Sequence, residues 1–307
     1  MSKMKKRFKA INKLLDDMTT AKEKLIVNMY KKCFNDMYAL LHKQYKQYQT
    51  DGILTFETMI KQNRLKKFET KMIQLLTMLN KNVGSTIYEH LRNVRLQSYY
   101  RSSWIIETMS KVKLGYHTVS TDVLEKSIEH NFTGLTLNQR LEKQRKEIIL
   151  RLRETVTRGL HEGQSIQTMS RAVQKDMGVS AGKANRIVRT ESHRLIESAK
   201  QESVEHANKS GVIMVKEWNS SEDERVRQKH KANHRILNGK KVFATEKFKQ
   251  GSVEGDGPGM MGVASHDVNC RCYLSYEIER IEAKTHEELA NLTYEEWIKK
   301  GYLYYDR

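Results

Sequence analysis

The sequence predicts a mainly α-helical protein: a long-helix N-terminal domain followed by a small α+β C-terminal module. Three observations carry this. Apolar residues recur at helical spacing over roughly the first two hundred positions. Proline occurs once in 307 residues, so little interrupts continuous helix. From Gly211 the pattern changes to short strands, glycine-rich turns and a gathering of His and Cys. We divide the chain into a basic α-helical domain over 1–210, an α+β module over 211–280 and an acidic helical tail over 281–307.

The first helix is predicted from Phe8 to about Tyr48, with Ile11, Leu15, Met18, Leu25, Met29, Cys33, Met37 and Leu40/Leu41 on its apolar stripe. Cys33 on that stripe reads as a small core residue. Thr50–Gly52 breaks the helix, and a second pattern runs from Phe56 past Gly84 to Met109. Tyr99, Tyr100 and Trp104 among Arg92, Arg95 and Arg101 read as a packed face in preference to a base-stacking one. Gly115–Thr121 is a loop, and Asp122 with Glu125 has capping-box spacing. A longer helix starts at Thr136 with Gln139 and ends before Gly163. A short helix is expected over Ile166–Met177, stopped by Gly178. Another, capped by Ser180, runs to Gly211.

In the module, Val212–Trp218 alternates as a strand, and Asp223–His230 suggests a short helix. Asn238-Gly239 signals a type I′ hairpin between Ile236-Leu237 and Lys241–Phe243. Gly251–Gly262 reads as a mobile glycine-rich loop carrying Pro258, and Cys272–Ile278 as another strand. Thr285/Glu288 and Thr293/Glu296 have the spacing of two further capping boxes.

Lys and Arg number 55 against 37 Asp and Glu, a net charge of +18, which favours polyanionic partners, chiefly double-stranded DNA bound without sequence preference. Arg140, Lys143, Arg145, Lys146, Arg151 and Arg153, on one predicted helix, are the candidate phosphate contacts. No stretch is apolar for long enough to span a bilayer, so no membrane anchor is expected. The basic start lacks the apolar run of a signal peptide, which implies synthesis in a cytoplasm. Three cysteines make no disulfide framework and suit a reducing compartment.

Chemically capable residues concentrate between Trp218 and Cys272. Cys270 and Cys272, with His230, Asp223 and His266, have the ligand types for zinc; the alternative is that the cysteines pack and His230 bonds a backbone carbonyl. Arg189 and Glu191 suggest an ion-pair network, Glu191 accepting from Arg225 or Arg227. No Ser-His-Asp order, P-loop or dinucleotide fingerprint is present, and a Cys270–His230 nucleophile pair would have no use for Cys272.

Arg189-Thr190-Glu191, Trp218, Asp223-x-Arg225-x-Arg227-x-x-His230, Asn238-Gly239, Phe248 and the closing His266-x-x-Asn269-Cys270-Arg271-Cys272 together resemble the head-morphogenesis family, the minor head proteins of tailed phages similar to protein F of phage Mu. The resemblance covers Leu141 to Ile278, including the Gly163-x-Ser165 and Gly178-x-Ser180 turns. The closing segment departs from the family pattern, with Pro258 well upstream of it. The resemblance implies a non-enzymatic protein of the virion head interior, partnered by the portal protein and the capsid or scaffold interior, and leaving with the genome at ejection. It gives Arg189, Glu191, Trp218, Arg225, Arg227 and Asn269 a structural role. The competing classes are a co-injected nuclease or nucleotide-modifying effector using His230, Arg227 and Asp223, and a nucleic-acid-binding protein outside the virion.

Overall fold

The computed structural model describes residues 2–129, 134–221, 226, 228–229 and 232–300. It is mainly α-helical, with a small C-terminal part of antiparallel strands. The helices are α1 (Lys3–Tyr48), α2 (Phe56–Ile60), α3 (Arg64–Ser110), α4 (Thr121–Glu129), α5 (Leu137–His161) and α6 (Ile166–Lys209). Strand β1 (Val212–Asn219) opens the C-terminal part, followed by the short strands β2 (Gln228–Lys229), β3 (Ala232–Asn233), β4 (Lys241–Phe243), β5 (Phe248–Gln250) and β6 (Val253–Gly255). The one-turn α7 (Ala264–Asp267), strand β7 (Tyr273–Ile281) and α8 (Tyr294–Lys299) complete it. Two compact units result, one from residues 1–20, 89–134 and 188–307, the other from 21–88 and 135–187.

The second unit is wholly helical, and an apolar ladder explains it. Ile26, Tyr30, Cys33, Met37, Leu41 and Tyr45 are buried along α1, whereas Leu25 is exposed. The 3.6-residue period, carried through buried Thr19, puts the stripe one position beyond the Leu25 and Met29 of the expectation. Burial pushes the Cys33 thiol up to about 12, helped by Asp36, so it is an inert core residue. Met37, Phe68, Val156 and Val173 line one small internal gap, where α1, α3, α5 and α6 meet. The Thr136/Gln139 capping box forms as expected, and Gly163 (φ +60°) follows α5.

Several helix boundaries differ from expectation: α1 already starts at Lys3, and the pattern from Phe56 breaks at Lys61–Asn63, where Gln62 and Asn63 have positive φ. Gly178 and Ser180 lie inside the continuous α6 and form no turn. A mid-helix glycine costs about 1 kcal/mol, and burial of Val173, Met177, Ala181 and Ala184 on either side offsets it. The cap of α4 is Ser120, whose Oγ accepts from the Val123 amide, not Asp122.

The first unit packs helical segments on a three-stranded antiparallel sheet of order β4-β1-β7. Val212, Met214, Lys216 and Trp218 alternate inward along β1, with Trp218 opposite Leu274 and Lys216 opposite Tyr276. Their core joins Phe8, Leu15, Val94, Tyr99, Ile105, Ile196 and Phe248. Tyr99 is buried, and Trp104 donates through Nε1 to the Leu292 carbonyl at 2.9 Å, so these aromatics do pack. Trp297 of α8 is fully buried and donates to Glu107 Oε2 at 2.6 Å; truncating it to Ala would cost about 3–5 kcal/mol. The Thr293/Glu296 capping box forms, whereas Thr285 bridges to Val112 and caps nothing.

Three local expectations fail in the strand region. Asn238-Gly239 makes no type I′ hairpin: only Gly239 has positive φ, and β4 pairs with β1 in place of Ile236-Leu237. The Gly251–Gly262 stretch is a β5–β6 hairpin followed by buried Gly257, Pro258 and Gly259, not an open loop. Of the helix expected over Asp223–His230, Gln228–Lys229 form β2 instead; Asp223, Arg225, Arg227 and His230 lie outside the described residues.

Candidate metal centre

The site is assembled from the turn after β3, the one-turn α7 and the segment entering β7, all within the first unit. His234, Cys270 and Cys272 are all buried, and one ligand atom from each lies within 4.8 Å of the others. His234 Nδ1 sits 3.6 Å from Cys270 Sγ and 3.5 Å from Cys272 Sγ. Two thiols of a C-x-C pair therefore converge on one imidazole nitrogen. One residue separates them in the segment that enters β7, and both sulfurs approach His234.

His234 is held from two sides. Its Nε2 lies 3.1 Å from His266 Nδ1, and Trp218 meets its ring edge-on at 5.1 Å. When Nε2–H donates to His266, Nδ1 keeps its lone pair toward the two sulfurs, the tautomer that a metal requires. His266 is itself fully buried on α7. Next to it Asp267 Oδ1 accepts from the Met261 amide at 3.0 Å. Burial pushes the Asp267 carboxyl above its usual range, against backbone donors from Met261, Gly262 and Val263 and the nearby His266.

Burial also raises the Cys270 thiol, as does Cys272, while His193 and His234 act to lower it. In the protonated state these are two poorly solvated thiols around an imidazole. Imidazole and thiolate donors in this number suit a borderline-soft cation such as Zn²⁺.

Of the residues predicted as ligands, the structure brings Cys270 and Cys272 together and places His266 behind His234. The sequence reading missed His234. Its signal was weak, because nothing at Ala232–Arg235 marks a short strand that turns a histidine inward.

Of the predicted ion-pair network, Arg225 and Arg227 lie outside the described residues. Glu191 is fully buried and accepts from Arg194 at 2.9 Å, one turn along α6. Arg194 also donates to the Ser127 carbonyl at 2.8 Å. Asn269 takes a left-handed φ of +55° and donates its amide to Thr190 Oγ1 at 3.2 Å. Arg189 faces a cleft of about 260 Å³ together with Lys9, Lys13, Asp16 and Arg271, and Cys270 forms part of its wall.

The basic residues predicted on α5 are partly compensated. Arg145 pairs with Glu142 at 2.6 Å, Arg153 with Glu69 at 3.6 Å and Arg151 with Asp176 at 3.9 Å. Lys143 and Lys146 share an open surface with Glu142 and Glu147, and part of the Arg140 guanidinium is buried.

Over residues 151–275 the chain matches the family described as Phage Mu protein F like protein. It is 32% identical over 301 residues to the minor head protein GP7 of Bacillus phage SPP1, covering 94% of this chain and 96% of that one. It is 27% identical over 306 residues to a protein of Enterococcus faecalis named NAD(+)-arginine ADP-ribosyltransferase EFV, covering 97% of this chain but 60% of that protein. No solved structure matches.

Proposed function

Because the chain belongs to the family of phage minor head proteins, we propose that it is a non-enzymatic structural protein of the virion, placed in the head interior beside the portal. The carrying observation is an alignment that runs through 96% of a minor head protein's length. The polar groups where α6 meets the strand region support the reading, because Thr190, Glu197 and Gln201 are engaged in packing bonds. In this role the His234–Cys270–Cys272 group is a zinc site that ties a small strand region with little core of its own.

The net charge of +18 fits a protein that lies against packaged double-stranded DNA. Lys9, Lys13, Arg189 and Arg271 line one cleft, a second set of basic residues beside those of α5 for phosphates to meet. Binding through them would be independent of sequence and would fall steeply with salt.

The test is mass spectrometry of gradient-purified, nuclease-treated particles of the phage or prophage that carries the gene. The protein is expected in full heads, at a few copies, cross-linking to the portal. Its absence from particles made in cells that express it would overturn the reading.

A second reading, an effector enzyme delivered with the genome, draws on the name of the Enterococcus relative. The chain spans only 60% of that protein. We read the shared part as its head-protein portion and the transferase activity as belonging to the remainder.

A further inference from the structure

The metal reading leaves a position to fill. Three protein ligands leave one coordination place open on a tetrahedral ion, whereas structural zinc sites are closed by a fourth. The geometry points to His193 of α6 as that fourth ligand, so that a metal would bolt the strand region to the long helix; this rests on the metal reading above.

The argument begins with the face of α6 that meets the strand region. Thr190, His193, Glu197 and Gln201 recur at three- and four-residue spacing and so share one side of the helix. Three of the four make a bond to that region. Thr190 Oγ1 accepts the Asn269 amide at 3.2 Å, and Glu197 Oε2 accepts the Leu274 amide at 3.0 Å. Gln201 donates to the Ala244 carbonyl at 2.7 Å and accepts from the Tyr276 hydroxyl at 3.2 Å. His193 lies between Thr190 and Glu197 on this stripe, and Cys270 lies between their partners Asn269 and Leu274. The His193 side chain is accordingly in hydrogen-bonding reach of Cys270.

The imidazole stands close against the backbone and has one nitrogen to spare. Its Nε2 is buried and has no hydrogen-bond partner. Gly259 (φ +72°) passes so close that a Cβ there would come within 2.8 Å of His193 Cδ2. A glycine is thus needed beside the ring both for its backbone conformation and for space. His193 is not within the 4.8 Å group, so closing the site needs its side chain to move toward Cys272 and His234.

Two other donors lie nearby. His266 Nδ1 faces His234 Nε2, which makes it a positioning residue behind the ligand. Asp267 Oδ1 holds the Met261 amide, whereas its Oδ2 is buried with no hydrogen-bond partner. The charge balance favours His193 over the Asp267 carboxylate as the fourth ligand. On binding a divalent cation the two thiols release two protons to solvent, and two thiolates with two neutral imidazoles leave no net charge in a buried place.

The test uses the full-length chain, stripped with chelator and titrated with Co²⁺. The parent protein should show thiolate-to-cobalt charge-transfer absorption and the intense visible bands of a four-coordinate site. His193→Ala should weaken Co²⁺ affinity at least about tenfold and dim the visible bands, while its far-UV circular dichroism without metal stays that of the parent. His193→Cys should restore a four-coordinate spectrum with stronger charge-transfer absorption. A parent spectrum and affinity in His193→Ala, or no added charge transfer in His193→Cys, would overturn the assignment of His193 and leave the three-ligand site standing. Absence of thiolate-to-cobalt absorption in the parent would instead overturn the metal reading itself.

Discussion

In the unit formed by 21–88 and 135–187, the buried side chains are almost all apolar and the ion pairs lie on the surface. In the unit formed by 1–20, 89–134 and 188–307, the core also takes in Glu107, Glu191, Glu197, Lys200, Lys216, His234, His266 and Asp267. Lys200 and Glu197 are both fully buried, bonded at 2.6 Å, with Asn12 and the Leu274 amide completing their shell. Lys216 is buried beside the Phe248 ring, and burial lowers its pKa against the pull of Asp256, Glu205 and Glu246. Apolar packing tolerates exchange of one hydrophobic residue for another of similar volume. A buried polar network does not, because each group left without its partner bears the full cost of desolvation. The helical unit should therefore accept many sequences, and the mixed unit is where single residues matter.

Metal removal should separate the two most strongly. Cys270→Ala is expected to destabilise the mixed unit by more than about 4 kcal/mol, with a matching loss of its transition in chelator, while the helical unit keeps its melt. Two transitions followed by circular dichroism and Trp fluorescence would show this, since Trp104, Trp218 and Trp297 all lie in the mixed unit. Lys200→Met comes next, at about 3–5 kcal/mol, because it strands a buried Glu197. Chemical denaturation measures it, and a cost below 1 kcal/mol would mean that the pair is hydrated. Leu152→Ala, at a fully buried position of α5, should cost about 2–5 kcal/mol and leave metal affinity unchanged; a change there would dissolve the contrast.

Smaller effects sharpen the same comparison. Glu277 is a depressed carboxyl: burial opposes ionisation, but hydrogen bonds from Ser2, Lys241 and Lys5 bring it down to about 2. Its folded value lies below its unfolded one, so its stabilisation is present above about pH 4.5 and is lost as pH falls through about 2. Glu277→Gln should flatten that part of the pH–stability curve for the mixed unit. Arg145→Ala, which removes a partly exposed pair with Glu142, should shift stability by less than about 1 kcal/mol.

Periodicity made the helical unit legible, because a 3.6-residue stripe is written in the same residues that pack. It failed at Gly178, where nothing local reveals that neighbouring apolar burial carries the helix through a glycine. The strands Val212–Asn219 and Tyr273–Ile281 were legible from alternation, but Lys216 on the inward face was not, since a lysine reads as outward. Cys270 and Cys272 were visible as a metal-type pair. Their neighbour His234 was not, nor was His193, the fourth ligand proposed above, because a contribution from a distant helix leaves no spacing rule in the chain. Arg194 was overlooked because Arg225 and Arg227 were weighed as partners of Glu191, while the i,i+3 geometry of α6 also gives it one a turn along.

The most direct test of the account is metal content of the full-length protein as purified, by elemental analysis, read together with its thermal melt before and after chelation. One zinc per chain, with a chelator-sensitive transition confined to the tryptophan signal of the mixed unit, is the predicted result. A metal-free protein whose two transitions ignore chelator would contradict it, and would return His234, Cys270 and Cys272 to the role of packing residues.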